Sequence, residues 1–477
     1  MALPPSVSGV KVVTHGAANS TVLRLAFPTV IAMLAQSAVN EVDIIFFAWL
    51  PPCEAANAQA ALLPSLILLW LFGGSLSAIS VGTQAIVARR LAEEKRLDAG
   101  AVVTNSFVFA LLSGIVFTAI GYACLPWALK LLIKVPAVRE AAESYLSWRM
   151  LGITSMVATF SFKAFFDGLG KTHVHMVASI VMNVVNILLC IALIFGRWGA
   201  PRMGMEGAGI AGFASTWIGL LITVGWAFLP RYSRVFRPFR ASALSRPVIT
   251  EILTLSVPSA IATLAVMTGF GLFSMIVSQL DSANGAVDPF SGCGAPEAVN
   301  SAATTVIVGV LKLTFTACLA FGTSTATLVS QSLGEGDPKR AEHFGWVSVR
   351  LGLLLFGIVG LLEGVVFTRP LLELLTKSEE VFGAALVPMR MMGIATPLIA
   401  TGMILTQALF GAGNTRFVMI VELVLHFFCL VPLSWFLGVT LGFDLVGIWS
   451  AAFVYATLLT AVMVVKFRSG DWKAIRI

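Results

Sequence analysis

Twelve apolar runs, each long enough to cross a bilayer, dominate this chain and leave it one broad architecture. About 20 apolar residues span the roughly 30 Å hydrocarbon layer. Within lipid every backbone N–H and C=O must find its partner inside the protein, which only helices or closed barrels achieve. The runs lie at 22–50, 58–88, 102–125, 145–167, 174–196, 207–229, 250–280, 300–332, 345–368, 385–410, 416–438 and 446–468. The expected fold class is therefore an all-α polytopic membrane protein with 12 transmembrane helices. Composition agrees, since only 12% of the residues are charged and 58% are hydrophobic, against about 25% charged in soluble domains.

Loop charges orient these helices. Arg89, Arg90, Lys95 and Arg96 follow the second run, and Lys171 follows the fourth. Five arginines between 231 and 246 follow the sixth, with further basic residues after the eighth, tenth and twelfth. Of the opposite loops, 51–57, 281–300 and 437–446 contain no Lys or Arg, while Lys130, Lys134, Arg197 and Lys377 on that side weaken the bias without reversing it. By the positive-inside rule both termini are cytoplasmic, in a cell inner (plasma) membrane. The net charge of +7 thus reads as topology, and no nucleic-acid surface is expected. The first twenty residues lack the continuous apolar segment of a signal peptide.

The first run contradicts its own apolarity. Gln36, Asn40 and Asp43 follow one another at spacings of four and three, so they share one helical face. An intramembrane carboxylate is costly and faces protein or water, which makes Asp43 a functional candidate. Pro28 removes a backbone donor fifteen residues earlier and leaves a weak point in the same helix. Glu41 sits on a different face.

The second half of the chain repeats the first. Leu23-Arg-Leu-Ala-Phe-Pro28 is answered by Leu253-Thr-Leu-Ser-Val-Pro258, which makes Pro258 the matching hinge candidate. Arg149-Met-Leu-Gly-Ile153 is answered by Arg390-Met-Met-Gly-Ile394, and Gly168-Leu-Gly-Lys-Thr172 by Gly411-Ala-Gly-Asn-Thr415. Gly204-Met-Glu-Gly-Ala-Gly-Ile210 is answered by Gly442-Phe-Asp-Leu-Val-Gly-Ile448. Each half carries six runs, so both halves share one orientation and an axis along the membrane normal. The expected organisation is an N-lobe at 1–229, a basic cytoplasmic linker at 230–249 resting on headgroups, and a C-lobe at 250–477. Segments 126–144 and 369–384 read as interfacial helices. Cys53 and Cys293 fall in equivalent outer loops, while Cys124, Cys190, Cys318 and Cys429 lie within runs as small core residues.

Pro28, Gln36, Asn40 and Asp43, together with Gly82-Thr-Gln-Ala85 and Gly322-Thr-Ser-Thr-Ala-Thr-Leu-Val-Ser-Gln331, resemble the multidrug and toxic compound extrusion (MATE) transporters. The resemblance covers essentially the whole chain. It implies a V-shaped pair of pseudo-symmetric six-helix lobes, working as a monomer without cofactor or metal. It further implies a secondary antiporter that exports lipophilic, often cationic small molecules in exchange for inward H⁺ or Na⁺. The Pro28–Asp43 spacing is similar to the DinF-type branch, in which the helix 1 aspartate couples to the ion. The NorM-type branch uses acids in helices 7 and 10, and neither 258–268 nor 391–410 contains one. Relatives carry Asn then Asp four residues apart in helix 5, where this chain has Asn186 and Cys190, with Asn183 a turn earlier. One carboxylate favours H⁺ over Na⁺, since hard cations take several oxygen ligands.

Other buried charges need partners. Lys312 sits near mid-depth in the eighth run, either lining the cavity or neutralised by neighbours. Glu422 and His426 are four apart, a relay candidate or a fixed pair. Lys163 and Asp167 read as an ion pair at the membrane interface, and Glu363 as reaching headgroups. A flippase for a lipid-linked precursor, from the same superfamily, would line its cavity with several cations, where only Lys312 is evident. A polytopic membrane enzyme is disfavoured, because His173, His175 and His426 lack metal-ligand spacing and no Gly-x-Ser-x-Gly occurs.

Overall fold

The computed structural model describes residues 17–133, 135–283, 299–376 and 378–476. Cys293 lies outside these residues, as do the side chains of Asn40, Glu41 and Cys53. Among the described residues the chain is helical throughout, with no strand. The helices are α1 (Ala18–Ala48), α2 (Pro52–Phe72), α3 (Ile79–Ala92), α4 (Arg96–Leu132), α5 (Pro136–Leu151), α6 (Ile153–Gly168), α7 (His173–Phe195) and α8 (Gly204–Phe228). They continue with α9 (Pro230–Phe236), α10 (Arg246–Ala283), α11 (Val299–Gly334), α12 (Pro338–Leu361) and α13 (Thr368–Leu375). The last four are α14 (Glu379–Gly411), α15 (Thr415–Leu425), α16 (Val431–Trp435) and α17 (Asp444–Ser469).

Ten helical stretches among the described residues are long and apolar enough to cross a membrane, and α2 with α3, joined across a 45° bend, make an eleventh. The twelfth expected span, 145–167, is two 16-residue helices, α5 and α6, that meet at Gly152. The segment 126–144 also divides differently from expectation. Pro126 stays inside α4, which runs on to Leu132, and a new helix starts at Pro136.

Contacts divide the described residues into two compact units, one of residues 31–260 and the other of 17–30, 261–283 and 299–476. The division differs from the expected lobes at 1–229 and 250–477 because two long helices each change unit partway along. α1 does so two residues after Pro28, and α10 two residues after Pro258. Local contacts explain both. Thr29 accepts from Ser324 of α11 at 3.2 Å, while Gly82 of α3 lies against Ile252 and Ser256 of α10. Arg90 pairs with Glu251 at 2.9 Å.

Both helices run unbroken through their prolines. Close to Pro28, the Thr29 hydroxyl donates to Leu25 O at 3.0 Å and so bonds a carbonyl beside the break in the ladder. The segment 230–249 is not a free strap on the headgroups. Asn105 of α4 donates to Ala243 O at 2.7 Å and accepts from Ser245 N at 2.9 Å. Tyr232, Val235 and Phe236 of α9 are buried while Arg231, Arg234 and Arg237 face outward.

The repeat is visible in backbone geometry. Gly170 after α6 (φ 68°) and Gly413 after α14 (φ 87°) end equivalent helices in the left-handed region, where glycine meets no steric penalty. The next residues donate back to Phe166 O and Leu409 O at 2.8 and 2.9 Å.

Candidate functional site

In the unit of residues 31–260, α1 delivers Asp43 to the interior, where it is 2% exposed. α7 meets it with a sorted pair of faces. Asn183, Asn186 and Cys190 are buried at spacings of three and four, whereas Ile180, Val181, Val184 and Leu188 are exposed. A helix in lipid folds this way because apolar side chains lose nothing on the outside and polar ones need partners within. Cys190 Sγ lies 3.8 Å from Asp43 Oδ1 and 3.8 Å from Asn186 Oδ1, so its single S–H can donate to either. Asn186 Nδ2 donates to Ser215 Oγ of α8 at 3.4 Å.

α5 completes the surroundings with two residues that the sequence reading passed over. Tyr145 is fully buried and turns its hydroxyl toward Asp43, while the half-buried Arg149 adds positive charge beside the carboxylate. The Tyr145 ring meets Phe47 edge-on at 6.5 Å, and the Arg149 guanidinium sits 5.7 Å from the Tyr145 ring centre. Arg149 was legible only as part of a repeated motif, although an arginine inside an apolar run is itself a signal. Lys312 is therefore not the only cation within a run.

Two glycines of α8 make this approach possible. A Cβ on Gly209 would stand 2.6 Å from Tyr145 O, and one on Gly212 would run into Arg149 Nη1. Trp148 Nε1 donates to Glu206 Oε1 at 3.1 Å and fastens the same two helices. The Gly204–Gly212 stretch thus brings α5 close and gives the arginine side chain its channel.

The other candidates have no hydrogen bond to Asp43 among the described residues. Gln36 is half-buried on α1. Lys312 is half-buried on α11 and engaged by neighbours. In the second unit Glu422 and His426 do pair: Nδ1 lies 2.9 Å from Glu422 O and 3.3 Å from its Oε2. Tyr455 of α17 donates to Glu422 Oε2 at 3.0 Å and packs its ring 4.6 Å from the imidazole. His426 opens a π-helical turn, His426–Leu430, an irregularity that often marks functional positions.

Two expectations need correction. Glu363 does not reach for headgroups. It lies in the π-helical turn Leu362–Val366 and accepts a 2.7 Å bond from Thr314 of α11. Lys163 and Asp167 do pair, at 2.8 Å, but they are 8% and 1% exposed and so lie inside the unit rather than at its rim.

Comparison with known proteins agrees with this architecture. A family model, MatE, matches residues 28–192 and 295–436, more than half of the chain. A probable multidrug resistance protein NorM of Thermotoga maritima is 23% identical over 85% of this chain and 83% of its own length. Another protein of that name, from Mannheimia succiniciproducens, is 24% identical over 94% and 92%. The solved outward-facing structure of a multidrug resistance MATE family transporter of the MOP superfamily superposes with a TM-score of 0.82, at 20% identity and 98% coverage of both chains. Family model, relatives and fold converge: this multi-pass membrane protein belongs to the MATE family, whose members are transporters and not enzymes.

Proposed function

We propose that this protein is a secondary antiporter, exporting lipophilic, often cationic small molecules in exchange for inward H⁺, with Asp43 as the proton carrier. The observation that supports this most directly is the burial of Asp43 among Cys190, Tyr145 and Arg149. The group is enclosed, titratable and linked to α5 and α7 at once, so a change in its charge alters what those helices gain from closing on it. One carboxylate, one amide oxygen and a thiol form a poor Na⁺ cage, which favours H⁺ as the coupling ion. The multidrug resistance names of the relatives support the cargo class.

The hinge reading draws support from the division of α1 and α10 two residues beyond Pro28 and Pro258. A helix interior that lacks one ladder bond bends there first. The working model is a DinF-type monomer in the inner membrane with both termini cytoplasmic. Asn183, Asn186 and Gln36 serve as polar neighbours, and Glu422 with His426 as a secondary relay in the other unit.

The deciding experiment is proton-driven export from proteoliposomes. Asp43→Asn is expected to fold and bind cargo but to lose export driven by a pH gradient. Export at the native rate in that variant overturns the assignment. Replacing Na⁺ by K⁺ at a constant pH gradient tests the ion, and loss of transport there would mean Na⁺ coupling. Failure of the native protein to move any lipophilic compound would favour the flippase.

A further inference from the structure

Asp43 is enclosed near the C-terminal end of α1, and a proton taken up there needs a way out. We propose that the buried face of α7 is that way, a water-bearing polar track from Asp43 to His175 and the Lys163–Asp167 pair, with His175 as the group that hands the proton onward. This inference rests on the reading of Asp43 as the proton carrier.

The track is continuous in sequence and burial. His175, Ser179, Asn183, Asn186 and Cys190 follow at spacings of four, four, three and four, and all five are buried. One helical face therefore carries polar groups over about 22 Å, at 1.5 Å per residue. Across from it α8 contributes the buried hydroxyl of Ser215, which accepts from Asn186 at 3.4 Å. A purely structural α7 would place alanine or leucine on most of this face.

Two residues on the track are not satisfied by protein. His175 is 4% exposed, yet neither ring nitrogen has a hydrogen-bond partner, and Asn183 Oδ1 has none either. Buried polar atoms are rarely left unbonded, and water supplies the missing partner where the surroundings are polar. Water between His175 and Asn183 is what a proton track requires. The charged group acting on His175 is Lys163 of α6, which is itself paired with Asp167 at 2.8 Å. Lys171 and Arg231 act on the neighbouring His173, and α8 presents no charge among the buried residues of its face.

The transfer balances simply. The Asp43 carboxyl gives up its proton to the water column and returns to carboxylate. One imidazole nitrogen of His175 takes a proton and the other releases one toward the basic-loop side. Neither step needs a further reactant.

The test is turnover of the full chain in proteoliposomes with ethidium as probe cargo under an imposed pH gradient. His175→Gln keeps size and hydrogen bonding but cannot carry a proton. It is expected to slow turnover at least ~10-fold, as loss of a proton-transfer group does, with KM for ethidium unchanged. His175→Glu, which can carry a proton, is expected to recover most of the rate. Ser179→Val alters no titratable group and is expected to slow turnover by interrupting the water. Native turnover in both His175→Gln and Ser179→Val overturns the track, as does a His175→Glu variant slower than His175→Gln. Asp43→Asn is measured in parallel. Coupled export surviving there refutes the proton carrier itself, whereas its loss alongside native His175→Gln and Ser179→Val refutes only the track.

Discussion

Gly209 and Gly212 stand three residues apart on α8, and the structure assigns them opposite sensitivities to one added methyl. At Gly209 the new Cβ would lie 2.6 Å from Tyr145 O and 3.2 Å from Tyr145 Cα, both backbone atoms of α5. Ordinary contact begins near 3.4 Å, so the two helices must separate by about 0.8 Å, and strain of this kind costs about 1–3 kcal/mol. At Gly212 the obstacle is the end of the Arg149 side chain, which rotates away with the backbone unmoved. The gain in helix propensity from glycine to alanine, about 1 kcal/mol, is common to both variants and cancels in their comparison. Gly209→Ala is therefore expected to be less stable than Gly212→Ala by about 1–3 kcal/mol. Thermal unfolding in detergent, followed by loss of the monodisperse chromatographic peak, measures the difference. Gly212→Ala should instead alter export, because its methyl moves the guanidinium that faces Asp43. Equal stability of the two variants, or a Gly212→Ala protein with native export and an unstable fold, would refute this account of the α5–α8 contact.

Two further outcomes are expected. Pro28→Ala restores the missing backbone donor in α1 and should lower export several-fold while leaving cargo affinity nearly unchanged; native turnover would remove the hinge from the mechanism. Trp472 is fully buried in the turn after α17, donates to Phe467 O at 2.8 Å and stacks on Phe467 at 4.6 Å. Trp472→Ala should cost about 3–5 kcal/mol, read as a lower melting temperature, and a wild-type melt would show that this clamp is dispensable.

Much of the molecule is written in one dimension because lipid is an unforgiving solvent. An apolar run of spanning length has no choice but to be helical, so membrane class and most span positions follow from residue type, although 145–167 divides into α5 and α6. The two halves announce themselves through motifs with backbone duties, and Gly170 and Gly413 occupy the same left-handed position in matching turns. Asp43 and the α7 residues Asn183, Asn186 and Cys190 stand out for a related reason. A polar group inside such a helix faces the interior, so spacing of three and four predicts shared burial, as α7 displays.

What tertiary structure decided are the pairings between distant residues, which no local pattern carries. Tyr145 and Arg149 reach Asp43 only because Gly209 and Gly212 let α5 settle against α8. Glu363 faces Thr314 through a π-helical turn that no spacing rule anticipates. The linker is stitched down by Asn105, more than a hundred residues earlier in the chain. The Lys163–Asp167 pair lies inside the unit although its sequence equally suited the membrane rim. Helix periodicity states which residues share a face; which neighbour that face meets depends on close packing of helices joined by long loops, and a few tenths of an ångström at a glycine settle it.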